Sequence, residues 1–167
     1  MTNGQNPTAI LRDEHENVLR KLDSLGDAIS RMGGDEAPSD SLKELASFFS
    51  IELPIHLTKE EQALFPEIER FIPRNAGPTG VMWVEHDDLR TTLETLRPLI
   101  DRYFEDPRNP EVKGDIHRHS AHFIGLLREH IDKENNILFM MADMHLDRGQ
   151  KDTVIKLFHE IETGGKG

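Results

Sequence analysis

HLTKEEQALF occupies residues 56–65, and HIDKENNILF occupies residues 130–139. In both, a His is followed by Lys three residues on, Glu four residues on, and Leu-Phe eight and nine residues on. A second pair precedes each copy: Glu14-His15 before the first and Glu85-His86 before the second. The order EH, HxxKE, EH, HxxKE is an internal repeat. His and Glu spaced i, i+4 share one face of a helix. An imidazole beside a carboxylate on one face is metal-ligand chemistry, and two copies predict a symmetric, two-metal site.

Composition narrows the setting. The chain has 167 residues, enough for one domain with a real core. No internal linker suggests a second domain, so residues 1–167 are read as one unit. The net charge of −11 argues against nucleic acid or an anionic membrane surface as partner. There is no cysteine, which excludes disulfides, iron–sulfur ligation and thiol catalysis. MTNGQNPTAI has neither a basic nor an apolar leader segment, and no stretch reaches the ~18–20 apolar residues of a membrane span. The cytoplasm is the expected compartment.

Apolar periodicity places the motifs on helices. Leu11, His15, Val18, Leu22, Leu25, Ile29 and Met32 form a core-facing seam, opened by Asn6-Pro7 and closed by Gly33-Gly34. The second helix is expected to open at Ser41 with Glu44 as a capping box. Its seam runs Leu42, Leu45, Phe49, Leu53, His56, Glu60, Ala63, with Pro54 expected to bend it just before His56. After a turn at Gly77-Pro78-Thr79-Gly80, the third seam runs Met82, His86, Leu89, Leu93, Leu96, Ile100, Tyr103, interrupted by Pro98. Asn109-Pro110 caps a fourth helix over about 111–142, with the seam His119, Phe123, Leu126, His130, Glu134, Ile137, Met141. A shorter amphipathic helix follows, Val154 to Ile161, within about 150–163. No alternating stretch argues for strands. The predicted fold is all-α: an up-down-up-down four-helix bundle over about 8–145 with a short additional C-terminal helix, and a frayed tail from Gly164.

Depth along each helix tests whether the six candidates meet. His15 lies about 17 residues before the end of helix one, and His56 and Glu60 about 15–20 residues after the start of helix two. At ~1.5 Å per residue each sits roughly 25–30 Å from the shared turn. His86, His130 and Glu134 match in the same way across the second hairpin. All six fall in one layer, on core-facing seams. A lone core histidine is usually a packed, hydrogen-bonded one. Four with two carboxylates in one layer would each need a partner, at a cost on the order of 1–3 kcal/mol per unmet group. Imidazole and carboxylate donors suit two first-row transition ions, iron foremost, with manganese or zinc as substitutes. Glu60 and Glu134 are assigned as bridges, with one His pair per metal. The spacing leaves open which histidines pair.

The segments RDEHENVLRKL, ELPIHLTKEEQALFPEIE, WVEHDDLR and LREHIDKENNILFMM resemble the hemerythrin-like, or HHE cation-binding, proteins across residues 8–145. The resemblance implies a four-helix bundle holding a non-haem di-iron centre with an oxo or hydroxo bridge. It carries the ligands over to His15, His56, Glu60, His86, His130 and Glu134. Oxygen-carrying hemerythrins have a second His four residues after the third-helix His. Here that position is Arg90, which leaves one metal short of an imidazole and puts reversible oxygen binding in doubt. Glu61, Glu14, Glu85 or a water is the expected replacement.

Several other residues get plainer readings. His122 lies eight residues before His130, about 12 Å along the helix, and is read as a core-edge histidine. His117, His119, His145 and His159 are read as surface or boundary residues. Met82, Met140 and Met141 are expected to pack near the site as core. Lys59 and Lys133 are expected to face solvent, or to pair with carboxylates behind the ligands. The expected function is di-iron binding, with O2, NO, peroxide or iron itself as the ligand bound or sensed. Alternatives are a di-iron oxidase or peroxidase that turns over, iron storage or detoxification, and a bundle with incidental cation binding. A homodimer or a partner protein stays open.

Overall fold

The structure is a computed structural model that describes residues 5–33 and 40–164. Every regular element among the described residues is helical. Four long helices run α1 (Pro7–Ser30), α2 (Asp40–Lys59), α4 (Pro78–Glu105) and α5 (Pro110–Lys133). Two short helices prolong them: α3 (Phe65–Ile68) continues α2, and α6 (Phe139–His145) continues α5. Helix α7 (Arg148–Glu162) completes the chain. The long helices pack α1 on α2, α2 on α4, α4 on α5 and α5 on α1. That closed cycle is consistent with a four-helix bundle.

The caps follow the sequence where it supplies them. The Asn6 side chain accepts from the Thr8 backbone N–H at 3.2 Å, and Asn109 accepts from Glu111 and Val112 at 3.0 and 3.3 Å. Pro7 and Pro110 take the first helical positions, where no intrahelical donor is needed. Helices α2 and α4 continue through Pro54 and Pro98. Three details differ from expectation. Helix α2 is already helical at Asp40, so Ser41 lies inside it, not at its cap. Gly80 belongs to the first turn of α4, where a Cβ would stand 2.4 Å from the Arg74 carbonyl oxygen. Helix α7 begins earlier than periodicity suggests, because Asp147 and Gln150 form a reciprocal capping box. Gly34 and the tail beyond Gly164 lie outside the described residues.

The core has two apolar clusters. One joins Val18, Leu22, Phe49, Leu53, Leu57, Leu89, Phe123 and Ile131 with their neighbours. The other joins Leu11, Leu64, Phe65, Met82, Leu138 and Phe139 with Val154 and Phe158 of α7. Along every long helix the change of cluster falls at the EH or HxxKE motif. The motifs therefore form a polar layer across an apolar interior. Helix α7 lies along α1 and α2, over the segment after Lys59, and closes that side. The predicted seams are buried along α1 and α2 throughout. On the last long helix the seam shifts: Leu127 is buried ahead of Leu126, and Ile137 is 51% exposed while Leu138 is fully buried.

Candidate metal centre

The shift at Ile137 has a local cause. Glu60–Leu64 and Glu134–Leu138 are both single π-helical turns. A π turn closes i to i+5, so it widens the helix and inserts a residue into the 3.6 pattern. Beyond Glu134 the buried positions run Leu138 and Ala142, in place of Ile137 and Met141. Each π turn starts on the motif glutamate. His56 and His130 are therefore held on regular helix, and Glu60 and Glu134 on the widened turn directly after it.

All six predicted residues converge. His15, His86, His130, Glu60 and Glu134 are at most 1% exposed, and His56 is 5% exposed. They form two overlapping sets of four donors: His15, His56, Glu60 and Glu134, and His86, His130, Glu60 and Glu134. His15 thus groups with His56, and His86 with His130. Within one set the Nε2 atoms of His15 and His56 are 3.1 Å apart, and in the other those of His86 and His130 are 3.2 Å apart. The carboxylates cross over. Glu60 lies 3.4 Å from His56 through Oε2 and 3.1 Å from His86 through Oε1. Glu134 lies 3.3 Å from His130 through Oε2 and 3.1 Å from His15 through Oε1. Each carboxylate thus offers one oxygen to each set.

The other ring nitrogen of every histidine is taken. His56 Nδ1 is 2.8 Å from Glu14 Oε1, and His130 Nδ1 is 2.8 Å from Glu85 Oε1. His86 Nδ1 is 2.6 Å from Glu61 Oε2, and His15 Nδ1 is 2.8 Å from Asn135 Oδ1. These partners are acceptors, so Nδ1 carries the proton and donates it outward. In a neutral ring, Nε2 then presents a bare lone pair to the centre. Two lone pairs facing at 3.1 Å repel unless a cation lies between them. The oxygens of Glu60 and Glu134 are buried without a hydrogen-bond partner, although the ring nitrogens are close. Orphaned carboxylate oxygens facing bare imidazole nitrogens are a donor set that fits metal ions.

The electrostatics of the metal-free cluster agree. Burial disfavours the charged form of His56, but the charge of Glu60 and the bond to Glu14 outweigh it and raise its pKa to about 10. His130 is likewise raised to about 10, with burial opposed by Glu134 and Glu85. Burial would raise the pKa of Glu134, yet the charge of His130 and its neighbours holds it well below the usual carboxylate range. Two buried carboxylates need positive charge beside them, and without a metal only the histidines can supply it.

The layer behind the ligands departs from the sequence reading. Glu14, Glu61 and Glu85, expected as replacement ligands, each lie against a histidine Nδ1 on the side away from the centre. Arg90 does not face the centre either, because it grips Glu61 through two bonds of 2.7 Å. Lys59 is only 3% exposed and bridges Glu14 to Glu162 of α7, whereas the Lys133 side chain is 38% exposed and pairs with Glu85. His122 is exposed and reaches Asp88 at 3.2 Å. Of the methionines, Met82 is core and Met140 is 52% exposed. Asn135, Phe65 and Phe139 were missed: the phenyl rings pack on His86 and His15 at 5.5 and 5.3 Å. Their signal was the repeat itself, which places a polar residue directly after each Glu and a Phe five residues on.

The comparisons with known proteins follow this geometry. The model of the hemerythrin HHE cation binding domain matches residues 6–142, and the chain belongs to that family. The chain is 33% identical over 133 residues to the iron-sulfur cluster repair protein YtfE of Yersinia pseudotuberculosis, a match spanning 78% of this chain and 60% of that protein. The YtfE proteins of Musicola paradisiaca and Yersinia pestis match at 33% and 32% identity with the same coverage. The chain thus spans about 60% of the length of these curated relatives. No solved structure matches it significantly.

Proposed function

We propose that this member of the hemerythrin family is a non-haem di-iron protein that binds or senses a small ligand, with O2, NO and peroxide, or iron itself, as the candidates. His15 and His56 would hold one ion, His86 and His130 the other, and Glu60 and Glu134 would serve both. The observation that carries this reading is the pair of buried, hydrogen-bond-free carboxylates, each within reach of both histidine pairs. The same reading places the centre in an up-down-up-down bundle, supported by the cyclic packing of α1, α2, α4 and α5.

Bound iron supplies Lewis acidity and redox change, and the chain supplies geometry. Glu14, Glu61, Glu85 and Asn135 fix the tautomer and tilt of each ring. Leu11, Leu64, Phe65, Leu138 and Phe139 keep bulk water from one side of the layer, and Val18, Leu57, Leu89 and Ile131 from the other. A cleft of about 380 Å³ between α1 and α2 reaches His56 and Glu14.

A second reading, handling of iron for iron–sulfur cluster repair, draws on the likeness to the iron-sulfur cluster repair protein YtfE. Ultraviolet–visible spectra of the anaerobically iron-loaded chain, taken before and after O2, NO or peroxide, test the first reading. A ligand-dependent band that returns to its starting form supports binding or sensing. An unchanged spectrum with all three, together with transfer of iron to an apo iron–sulfur protein, supports the second reading instead.

A further inference from the structure

The donors, the phenyl rings packed on them and two of the four acceptors behind them correspond between the two halves of the centre; one pair of acceptors does not. Glu14 behind His56 corresponds to Glu85 behind His130, and both bonds are 2.8 Å. Phe139 on His15 corresponds to Phe65 on His86. Glu60 and Glu134 serve both halves alike. The exception is the residue after each glutamate. His86 donates to the carboxylate of Glu61, which is 2.6 Å away and locked by Arg90. His15 donates to the carboxamide of Asn135 at 2.8 Å. Arg12 reaches only the Asn135 backbone carbonyl, at 3.3 Å, and Leu19 stands where the repeat would put a counterpart of Arg90.

A carboxylate accepting from Nδ1–H pushes electron density into the ring and makes Nε2 a better donor to a metal, whereas a neutral amide does so less. The cleft described above also opens beside His56, in the half that holds Asn135. Building on the two-metal reading, we infer that Asn135 makes the two positions unequal: the ion held by His15 and His56 is the exchangeable one, and the ion held by His86 and His130 is the retained one. Asn135 and Glu61 are positioning residues that set this order. Loss of such a partner behind a ligand shifts metal affinity by about 10–100-fold, which sets the separation expected between the two positions.

The test uses the full chain loaded anaerobically with ferrous ion, desalted, and mixed with excess of a colour-forming ferrous chelator. The wild type is expected to release iron in two equal phases whose rates differ by about 10–100-fold. Asn135→Asp keeps size and shape, adds the missing carboxylate, and is expected to slow the fast phase alone by about 10-fold or more. Glu61→Gln is expected to accelerate the slow phase alone, which assigns the phases even if the first variant folds poorly by circular dichroism. Two irons released in a single phase, or two phases that neither variant moves selectively, would overturn the inference and leave the two-metal reading intact. A chain that takes up fewer than two irons would overturn both.

Discussion

The segments after His56 and after His130 carry the same ten-residue pattern and the same π turn, yet they sit in different surroundings. Over the first, α7 lays down Val154, Ile155 and Phe158, Lys59 is buried, and Ala63 is 1% exposed. Over the second there is no such cover among the described residues: Lys133 is half open and Ile137 faces solvent. The donor geometry nonetheless agrees, with His-to-Glu distances of 3.4 and 3.3 Å and His-to-His distances of 3.1 and 3.2 Å. Donor geometry therefore follows the repeat and its π turn. Access and the burial of the flanking charges are properties of what packs outside it.

The comparison breaks most severely at the shared carboxylates. Glu60→Gln or Glu134→Gln removes a donor from both positions at once. Metal analysis should show iron falling to about one or fewer per chain in either variant, because each glutamate lies in both donor sets. Retention of two irons per chain in either variant would mean that the two halves do not share that carboxylate.

Removing the metal comes next in size. Metal bound only by the folded state adds about 4 kcal/mol when free metal exceeds Kd by about 1,000-fold. For a chain of this length that corresponds to a rise in Tm of about 10 °C. Thermal melts with and without chelator should differ by that order, while a bundle with incidental cation binding would melt unchanged.

The metal-free cluster also has a defined pH response. His56 and His130 are raised to about 10 from the ordinary value of 6.5. A raised pKa contributes stability that is fully present below about pH 6.5 and lost as pH climbs through about 10. Both rings are then protonated at pH 7 and must lose that proton to bind metal. Isothermal titration in buffers of different ionisation enthalpy should show about two protons released on full loading. Release of none would indicate neutral rings in the metal-free chain.

The smallest effects lie in the flanking lysines, and they sharpen the contrast between the segments. Lys59→Ala leaves Glu14 with His56 as its partner and frees Glu162 of α7, at a cost of about 2 kcal/mol, between the values for exposed and for buried pairs. Lys133→Ala should cost about 0.5 kcal/mol, as an exposed pair does. Urea melts of the two variants check the order. Equal costs would mean that α7 does not bury Lys59 against its partners.

The sequence made the helices legible because their seams are long and regular, and the six donors legible because they recur at one spacing. The pairing of His15 with His56 was not, since it depends on which helices adjoin. Nor was the π turn, which changes no residue type and shows in the bond from the Phe139 N–H to the Glu134 carbonyl and in the burial of Leu138 in place of Ile137. The pairing of Lys59 with a carboxylate behind the histidines was one of two readings of the sequence, but its burial was not legible, because nothing local signals that α7 folds back across it. Arg90 read as a missing ligand because its distance from the repeat hid Glu61 as its partner. The acceptors behind the histidines were visible as residues, while their role needed neighbours supplied by other helices: Glu14 serves His56, and Asn135 serves His15.

The central claim is that two ions share one buried layer through Glu60 and Glu134. The most direct test is iron per chain by elemental analysis after anaerobic ferrous loading and desalting, with Mössbauer spectra of the same sample. The account predicts two irons per chain whose spectra show magnetic coupling. One iron per chain, or two that are uncoupled, would contradict it.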